Sequence, residues 1–337
     1  MNAFSIKLES QPWTEGVRAR ERYSSAFQGR SYNQPKFCLD ASWNPNGITF
    51  ANSSTVGAWP FPVFVTTDNS VVIADRSNSR IHIWRNGSAS PTTLSIPSLS
   101  GGLWALFVTT NDEIYINNGQ GVQSRVERWT FDGTQLPSVM SICSACYSVF
   151  VDISGSLYCS QYDHHKVVST SLSSTTGTLT IVAGTGYSGD SRTKLNNPFG
   201  IFINVDLELY VADAANDRIQ IFHPGQLNGT TVAGTGAAGT ISLWFPTGIV
   251  LDGDGYMFIV DSYHHRIVRA SSDGFLCVVG CSGPGNASNQ LLVPKTLSLD
   301  SDGNMFVADS QNNRIQKFVL SRNSCGKIHN TKASNRI

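Results

Sequence analysis

Two pairs of adjacent histidines, His164-His165 and His264-His265, are the first residues in this sequence to suggest chemistry. Imidazoles titrate near neutrality and ligate zinc and other transition metals. Asp152, Asp252 and Asp300, with Asn204 in the same place, recur after an apolar run and offer the oxygen ligands that calcium prefers. Cys143 and Cys146 have the spacing of half a zinc site. Gly184-Thr-Gly186 and Gly234-Thr-Gly236 resemble phosphate loops, but no helical pattern follows either, and a phosphate cradle needs one. No Gly-x-Ser-x-Gly elbow is present.

The elements that must position these groups are repeats. Asp213-Ala-Ala-Asn216-Asp-Arg218-Ile219 returns as Asp309-Ser-Gln-Asn312-Asn-Arg314-Ile315 and as Asp75-Arg-Ser-Asn78-Ser-Arg80-Ile81. Asp261-Ser-Tyr-His264-His-Arg266-Ile267 is a variant, and Gln161-Tyr-Asp-His164-His-Lys166-Val167 a degraded copy. A further copy, from Asn118 to Arg125-Val126, carries two extra residues. The basic column at 80, 125, 166, 218, 266 and 314 has spacings of 45, 41, 52, 48 and 48, the mark of a repeat architecture. Before each phrase lies a short β-prone run such as Leu209-Tyr-Val-Ala-Asp213, and after it another such as Arg218-Ile-Gln-Ile-Phe222. An apolar entry strand (Gly200-Ile-Phe-Ile203) and a last strand ending in Val-Ala-Gly (Thr231 to Gly234) complete each copy. Four short strands per period of 40–50 residues define a propeller blade.

Six copies, at about 60–98, 103–143, 146–184, 197–234, 246–281 and 294–320, predict an all-β, six-bladed β-propeller of four-stranded antiparallel blades. The last copy stops at Phe318-Val-Leu320, and Ile48-Thr-Phe-Ala51 matches the missing fourth strand. The ring is expected to close by this N-terminal strand, because an open ring leaves unpaired edges. Cys38 and Cys325 then flank the junction, and a disulfide between them would lock it. The expected division is 1–36 outside the core, 37–325 as propeller and 326–337 as a tail.

The phrase, its spacing and the Leu-Tyr-Val-Ala-Asp strands resemble the NHL repeat, with Gln161, Lys166 and the insertion before Arg125 as departures. The resemblance implies structural Asp and Arg columns: Asp75, Arg80, Arg125, Lys166, Asp213, Arg218, Asp261, Arg266, Asp309 and Arg314, each acid and base satisfying the other and the turn amides. It also implies a binding platform. No RING cysteine/histidine array precedes the repeats, so ligase activity does not carry over. A minority of relatives are enzymes, including peptide-amidating lyases that bind zinc through channel-facing histidines.

Within that frame the chemistry candidates weaken. Both histidine pairs occupy the same turn in blades two apart, too separated for one ion. The aspartates sit in Asp-Gly type turns, where such side chains cap local amides. The Cys-x-x-Cys pair lacks two further ligands nearby. We therefore expect no catalytic residue, no metal and no cofactor, with a metal-dependent (zinc or calcium) lyase or hydrolase acting in the channel as the alternative. Alignment of the inner-strand entries gives a different column: Phe61, Trp104, Tyr147, Phe199, Thr247 and Lys295. It is expected to ring one mouth of the channel, joined by Tyr187 and Trp244 from the loops 185–197 and 235–246 and by the loop 281–293. Either these aromatics pack the mouth, or they recognise a protein, peptide or glycan.

Net charge +0 and 14% charged residues leave no electrostatic footprint for nucleic acid, and no run of 18 apolar residues exists for membrane insertion. Sequons at Asn52, Asn86, Asn228 and Asn286 and seven cysteines point to an extracellular or luminal glycoprotein. Cys277 and Cys281 can bridge locally, and two of Cys143, Cys146 and Cys159 can pair. Against secretion, Met1 to Glu15 is no secretory signal as written, which leaves the cytoplasm as the alternative.

Overall fold

The structure is a computed structural model. It describes residues 31–38, 40–96, 102–118, 124–142, 145–174, 177–271 and 274–321. Six four-stranded antiparallel sheets form a six-bladed β-propeller. Blade one holds Val63–Val65, Val71–Asp75, Arg80–Trp84 and Thr92–Ser95; blade four holds Pro198–Ile203, Leu209–Asp213, Arg218–Phe222 and Thr230–Gly234. In most blades the second strand is wholly or almost wholly buried, as Val71–Asp75 and Leu209–Asp213 show, while the fourth mixes exposed, half-buried and buried residues. Hence the Val, Ile and Ala of the second strand alternate toward two neighbouring blades and read as continuous apolar runs rather than as an alternation.

Blade six closes the ring. Its sheet runs Ile48–Ala51, Arg314–Phe318, Met305–Asp309, Pro294–Leu299, with Ile48 opposite Lys317 and Ala51 opposite Ile315. The pairing extends past the predicted strand: Asn44 donates to the Val319 carbonyl (2.9 Å) and Ser321 to that of Ser42 (2.8 Å). Trp43, 4% exposed, donates its indole N–H to Gly303 O at 2.8 Å and packs edge-on against Phe37 and Phe258.

Part of the segment assigned outside the core belongs to it. Ser31 and Tyr32 are buried, and residues 32–35 cross one end of the channel. Tyr32 Oη donates to Ile203 O (3.1 Å), Asn33 Nδ2 to Thr66 O (2.7 Å) and Leu299 O (3.1 Å), and Gln34 Nε2 to Leu251 O (3.2 Å). Those carbonyls end inner strands of blades four, one, six and five. Polar side chains are what such a strap requires, because the strand ends present carbonyls that would otherwise lack donors. Residues 1–30 and the expected tail 326–337 lie outside the described residues.

Cys146 bridges Cys159 and Cys277 bridges Cys281, with Cα separations of 5.3 and 5.9 Å. Cys38 is disulfide-bonded. Its expected partner Cys325 and the remaining cysteine, Cys143, lie outside the described residues.

Candidate functional site at the channel mouth

The repeated phrase builds the walls of the site. In blade four Asp213 accepts from Arg218 Nε (2.7 Å), Asn216 Nδ2 (2.8 Å) and the Asn196 amide (2.6 Å), while the Arg218 guanidinium donates to the carbonyls of Asp190, Ser191 and Lys194. One carboxylate–guanidinium pair thus holds the loop before the inner strand against the turn. Asp309–Arg314 and Asp261–Arg266 repeat it at 2.7 and 2.8 Å, as does Asp75–Arg80 at 2.7 Å. Burial opposes ionisation of Asp75, but hydrogen bonds from Arg80 and Asn78 and the Arg80 charge outweigh it and hold the carboxyl below its usual pKa.

Two blades depart from this pattern. Blade two has Asn118 in the aspartate position, and the carboxylate comes instead from Glu127, two residues past Arg125. Glu127 is fully buried and accepts from Asn118 Nδ2 (2.7 Å), Arg125 Nε (2.8 Å) and Trp129 Nε1 (3.1 Å). In blade three Gln161 and Lys166 face each other across the ladder, and the Gln161 Oε1 is buried without a hydrogen-bond partner.

The histidine pairs serve the same frame. His264 Nδ1 lies 2.8 Å from Asp261 Oδ2, in the place that Asn78, Asn216 and Asn312 take elsewhere. His165 and His265 adopt left-handed backbone (φ 48° and 59°), as do Asp217 and Asn313 in equivalent positions. Each of these side chains accepts an amide from the next blade: Asn197 to His165 (3.1 Å), Phe245 to Asp217 (2.7 Å), Val293 to His265 (3.0 Å) and Trp59 to Asn313 (2.9 Å). The four donors are themselves left-handed, with φ between 48° and 58°. This inter-blade clamp had no counterpart in the sequence reading. It needs an unprotonated Nδ1, and burial first, then the neighbouring His264, holds the pKa of His265 below its usual value. Between that lowered value and the ordinary one near 6.5 the unfolded chain binds the extra proton, so stability falls as the solution is acidified through this window. His265→Asn should keep the clamp and flatten that part of the profile, measurable as urea midpoints between about pH 7.5 and 5.5.

The aspartate column after the inner strands caps turns. Asp152 Oδ1 accepts the amides of Ser154 and Ser156, Asp252 those of Asp254 and Tyr256, and Asp300 those of Asp302 and Asn304; Asn204 accepts from Asp206 and Glu208. Asp252 is also paired with buried Arg269 at 3.3 Å. Among the described residues, no group of three His, Cys, Asp or Glu side chains could hold a metal ion.

At the mouth the inner-strand column does meet. Phe61 and Phe199 are 5.2 Å apart and only 4% exposed each. Trp104 lies 5.5 Å from Phe61 and stacks on Tyr147 at 4.8 Å; Tyr147 stacks in turn on Tyr162 at 4.5 Å. Trp104, Tyr147 and Lys295 remain partly exposed. Three members are packed. Phe61 and Phe199 form a plug and present almost no surface to a ligand. Thr247 is fully buried, its hydroxyl donating to Lys295 O at 2.9 Å. Thr247 belongs to the join between inner strands, which approach so closely that a Cβ on Gly200 would sit 2.5 Å from the Thr247 carbonyl oxygen.

The structure adds residues the alignment passed over. Arg76, Tyr162 and Ala214 each follow the acid (or Gln161) of the phrase, and Tyr263 stands one place further on. Arg76 lies over Trp104, 3.5 Å from the ring centroid; Tyr263 stacks on Phe245 at 5.0 Å. Around this floor stand exposed rings: Trp59 (56%), Trp244 (53%) and Tyr263 (37%). An open cleft lined by Ala58, Trp59, Arg76, Ser77 and Gly102 adjoins it.

Beneath the plug a cavity of about 100 Å³ lies on the axis, lined by the inner strands and closed below by Tyr32. Tyr32 packs between Phe150 (5.3 Å) and Phe202 (5.1 Å), which continue a phenylalanine arc with Phe64 and Phe107. No His, Cys, Asp, Glu, Lys or Arg is among the described residues that line the cavity. The polar surface there consists of amides, hydroxyls and backbone.

No protein-family model matches the sequence, and neither does any curated protein. Solved structures do match in fold. A protein of unknown function from Bacteroides thetaiotaomicron VPI-5482 aligns with a TM-score of 0.64 at 16% identity, over 87% of this chain and 76% of that one. An auxiliary nutrient binding protein from the same organism gives 0.61 at 14% identity, over 87% and 77%. A catalytically inactive H270A virginiamycin B lyase from Staphylococcus aureus, solved with quinupristin, gives 0.55 at 13% identity, over 87% and 100%. At such identities the likeness shows the propeller fold alone.

Proposed function

We propose that this chain is a non-enzymatic recognition propeller of the NHL-repeat kind, which takes up part of a protein, peptide or glycan at its aromatic mouth. The observation that carries the reading is the asymmetry of the two channel ends. One end is covered by the chain's own residues 32–35, hydrogen-bonded to four blades. The other presents partly exposed Trp104 and Tyr147 beside exposed Trp59, Trp244 and Tyr263. Rigid aromatic surface at a concave site is the composition of a binding pocket. The nutrient binding protein of the same fold supports a binding role. A channel lyase or hydrolase, the second reading suggested by the virginiamycin B lyase likeness, would need an acid or base in the channel. The cavity's described lining supplies none beyond the Tyr32 and Tyr147 hydroxyls, and burial pushes that of Tyr147 up to about 12.

The two bridges Cys146–Cys159 and Cys277–Cys281 and the exposure of Asn52, Asn86, Asn228 and Asn286 favour an oxidising, extracellular or luminal setting with glycans on those asparagines. Among the described residues, no helix is long and apolar enough to cross a membrane.

Panning the folded protein against glycan and peptide libraries, with Trp104→Ala as counter-screen, tests the site. Trp104→Ala should abolish capture of the selected ligands and leave folding intact, because the ring is only partly buried. Phe199→Ala behaves differently. It empties the centre of the plug and should cost about 3–5 kcal/mol of stability, read from urea midpoints. If every selected ligand binds Trp104→Ala as tightly as the parent, the mouth is packing only.

A further inference from the structure

We infer that the ligand taken up at the mouth carries a carboxylate, and that Lys295 is its counter-ion. The inference rests on the recognition reading above and adds the chemistry of the ligand to it.

Lys295 stands at the entry of blade six's inner strand, Pro294–Leu299. Its Nζ lies 5.5 Å from the Phe199 ring centroid, 5.7 Å from Phe245 and 5.5 Å from Tyr263, a three-sided aromatic cage. Among the described residues no carboxylate and no hydrogen-bond acceptor reaches it. Most cations of the frame are matched: Arg80, Arg125, Arg218, Arg266, Arg269, Arg314 and Lys317 all meet a carboxylate within 4 Å, whereas Lys166 faces Gln161. At the mouth Arg76, over Trp104, is likewise held by a ring. Ring faces offset part of the cost of desolvating an ammonium, but they supply no lone pair for its three N–H donors. Burial, with no opposing partner, pulls the Lys295 pKa down to about 8. A cation held in this way is stabilised by an incoming anion, and an exposed aromatic surface beside it suits an organic acid better than an inorganic one. Tyr263 in the cage is a titratable group in direct reach of Lys295, and Tyr162, Asp163 and Arg76 act on Tyr147 at the same mouth. Asp163 is felt at Tyr147 and Tyr162 and does not figure among the influences on Lys295.

The test uses pairs in which a neutral group replaces the carboxylate on the same scaffold: benzoate against benzamide, N-acetylphenylalanine against its amide, and glucuronate against glucose. Affinities are read from calorimetry or tryptophan fluorescence on the whole protein. At least one acid should bind about tenfold or more tighter than its neutral partner, and the pair that does so identifies the source as aryl acid, peptide terminus or acidic sugar. The difference should vanish in Lys295→Met and survive in part in Lys295→Arg. Lys295→Met should also raise the melting temperature by a few degrees, since it removes an unmatched, partly buried charge.

A second measurement asks whether Lys295 is desolvated at all. Its folded pKa lies below the ordinary 10.5, so between about pH 8 and 10.5 the unfolded chain holds one proton more. Lys295 should therefore contribute stability that rises with pH across that window, read as the difference between the parent and Lys295→Met profiles, because the buried tyrosines with raised pKa values act in the opposite direction in both proteins. Equal affinities within every pair, or an acid preference that persists in Lys295→Met, would overturn the inference. If neutral partners bind as well as acids, and Trp104→Ala removes both, the recognition reading stands and only the carboxylate fails. If no member of any pair binds, the carboxylate inference is rejected, and the library screen decides the recognition reading separately.

Discussion

Glu127→Ala should destabilise the propeller by about 2–4 kcal/mol, the order expected when two buried neutral donors lose their acceptor, since the Arg125 left unpaired is 40% exposed. The Glu127 side chain is fully buried, and three donors converge on it, from Asn118, Arg125 and Trp129. Removing the carboxylate leaves the Asn118 amide and the Trp129 indole without this acceptor, and the Arg125 guanidinium without its anion. Glu127→Gln keeps the size but loses the charge, and should fall between parent and Ala. The decisive variant is the double change Asn118→Asp with Glu127→Gln. It recreates in blade two the arrangement of blades four and six, where Asp213 and Asp309 sit in the Asn118 position and Gln220 and Gln316 in the Glu127 position. Equilibrium unfolding of the parent, Asn118→Asp, Glu127→Gln and the double variant closes a double-mutant cycle. The double variant should recover most of what Glu127→Gln loses. If it is no more stable than that single variant, Glu127 does not stand in for the missing aspartate.

That substitution shows where the repeat was readable and where it was not. The phrase repeats because its turn demands a carboxylate, an arginine and a left-handed residue at set distances, so it could be counted and the missing strand found at Ile48–Ala51. Where blade two moved the carboxylate from one strand to the next, the motif became degraded in sequence although the cluster is intact in space. The histidine pairs are the opposite case, conspicuous in type and ordinary in role. His165 and His265 attract attention as metal ligands, yet Asp217 and Asn313 do the same work of accepting an amide from the next blade. The shared property is a side-chain acceptor on a left-handed residue, which no residue-type motif captures.

The mouth was half legible. Phe61, Trp104, Tyr147, Phe199, Thr247 and Lys295 share a place in the inner strand, so alignment put them together, but alignment does not tell which side chains fill the axis and which face outward. Burial divides them: Phe61, Phe199 and Thr247 are packed, while Trp104, Tyr147 and Lys295 retain surface. Arg76, Tyr162 and Tyr263 were missed because their positions repeat and their chemistry does not. The corresponding residues in blades four and six, Ala214 and Ser310, are buried, with Ser310 Oγ donating to Pro60 O at 2.6 Å. The strap at 32–35 was missed for a different reason. Its composition is polar, and polarity reads as exposure unless the carbonyls that await it are known.

Trp43→Ala should have the second large effect, and its distribution matters more than its size. The ring closes where the N-terminal segment pairs with the last strand, from the Ser42–Ser321 bond through Ala51–Ile315. Trp43 fastens the start of this ladder: its indole donates to Gly303 O, and its ring fits between Phe37 and Phe258 at 5.0 and 5.5 Å. Truncating a tryptophan that is 4% exposed costs about 3–5 kcal/mol. Each blade packs on its neighbours, so a local loss need not spread evenly, and the weakest unit opens first. The latch is that unit. Its strand is short, Ile48 is 59% exposed, and the register shifts between Thr49 and Ala51. Hydrogen exchange should therefore show the amides of 314–318 losing protection in Trp43→Ala, while those of Leu209–Asp213 in blade four change much less. A freed Arg314–Phe318 edge also offers unpaired backbone to a second chain, so the variant should self-associate at concentrations where the parent does not. Trp43→Phe, which keeps the aromatic packing and loses the indole donor, should sit near the parent in both measurements. If protection falls uniformly around the ring, the propeller opens as one cooperative body and closure at blade six is no weaker than any other joint.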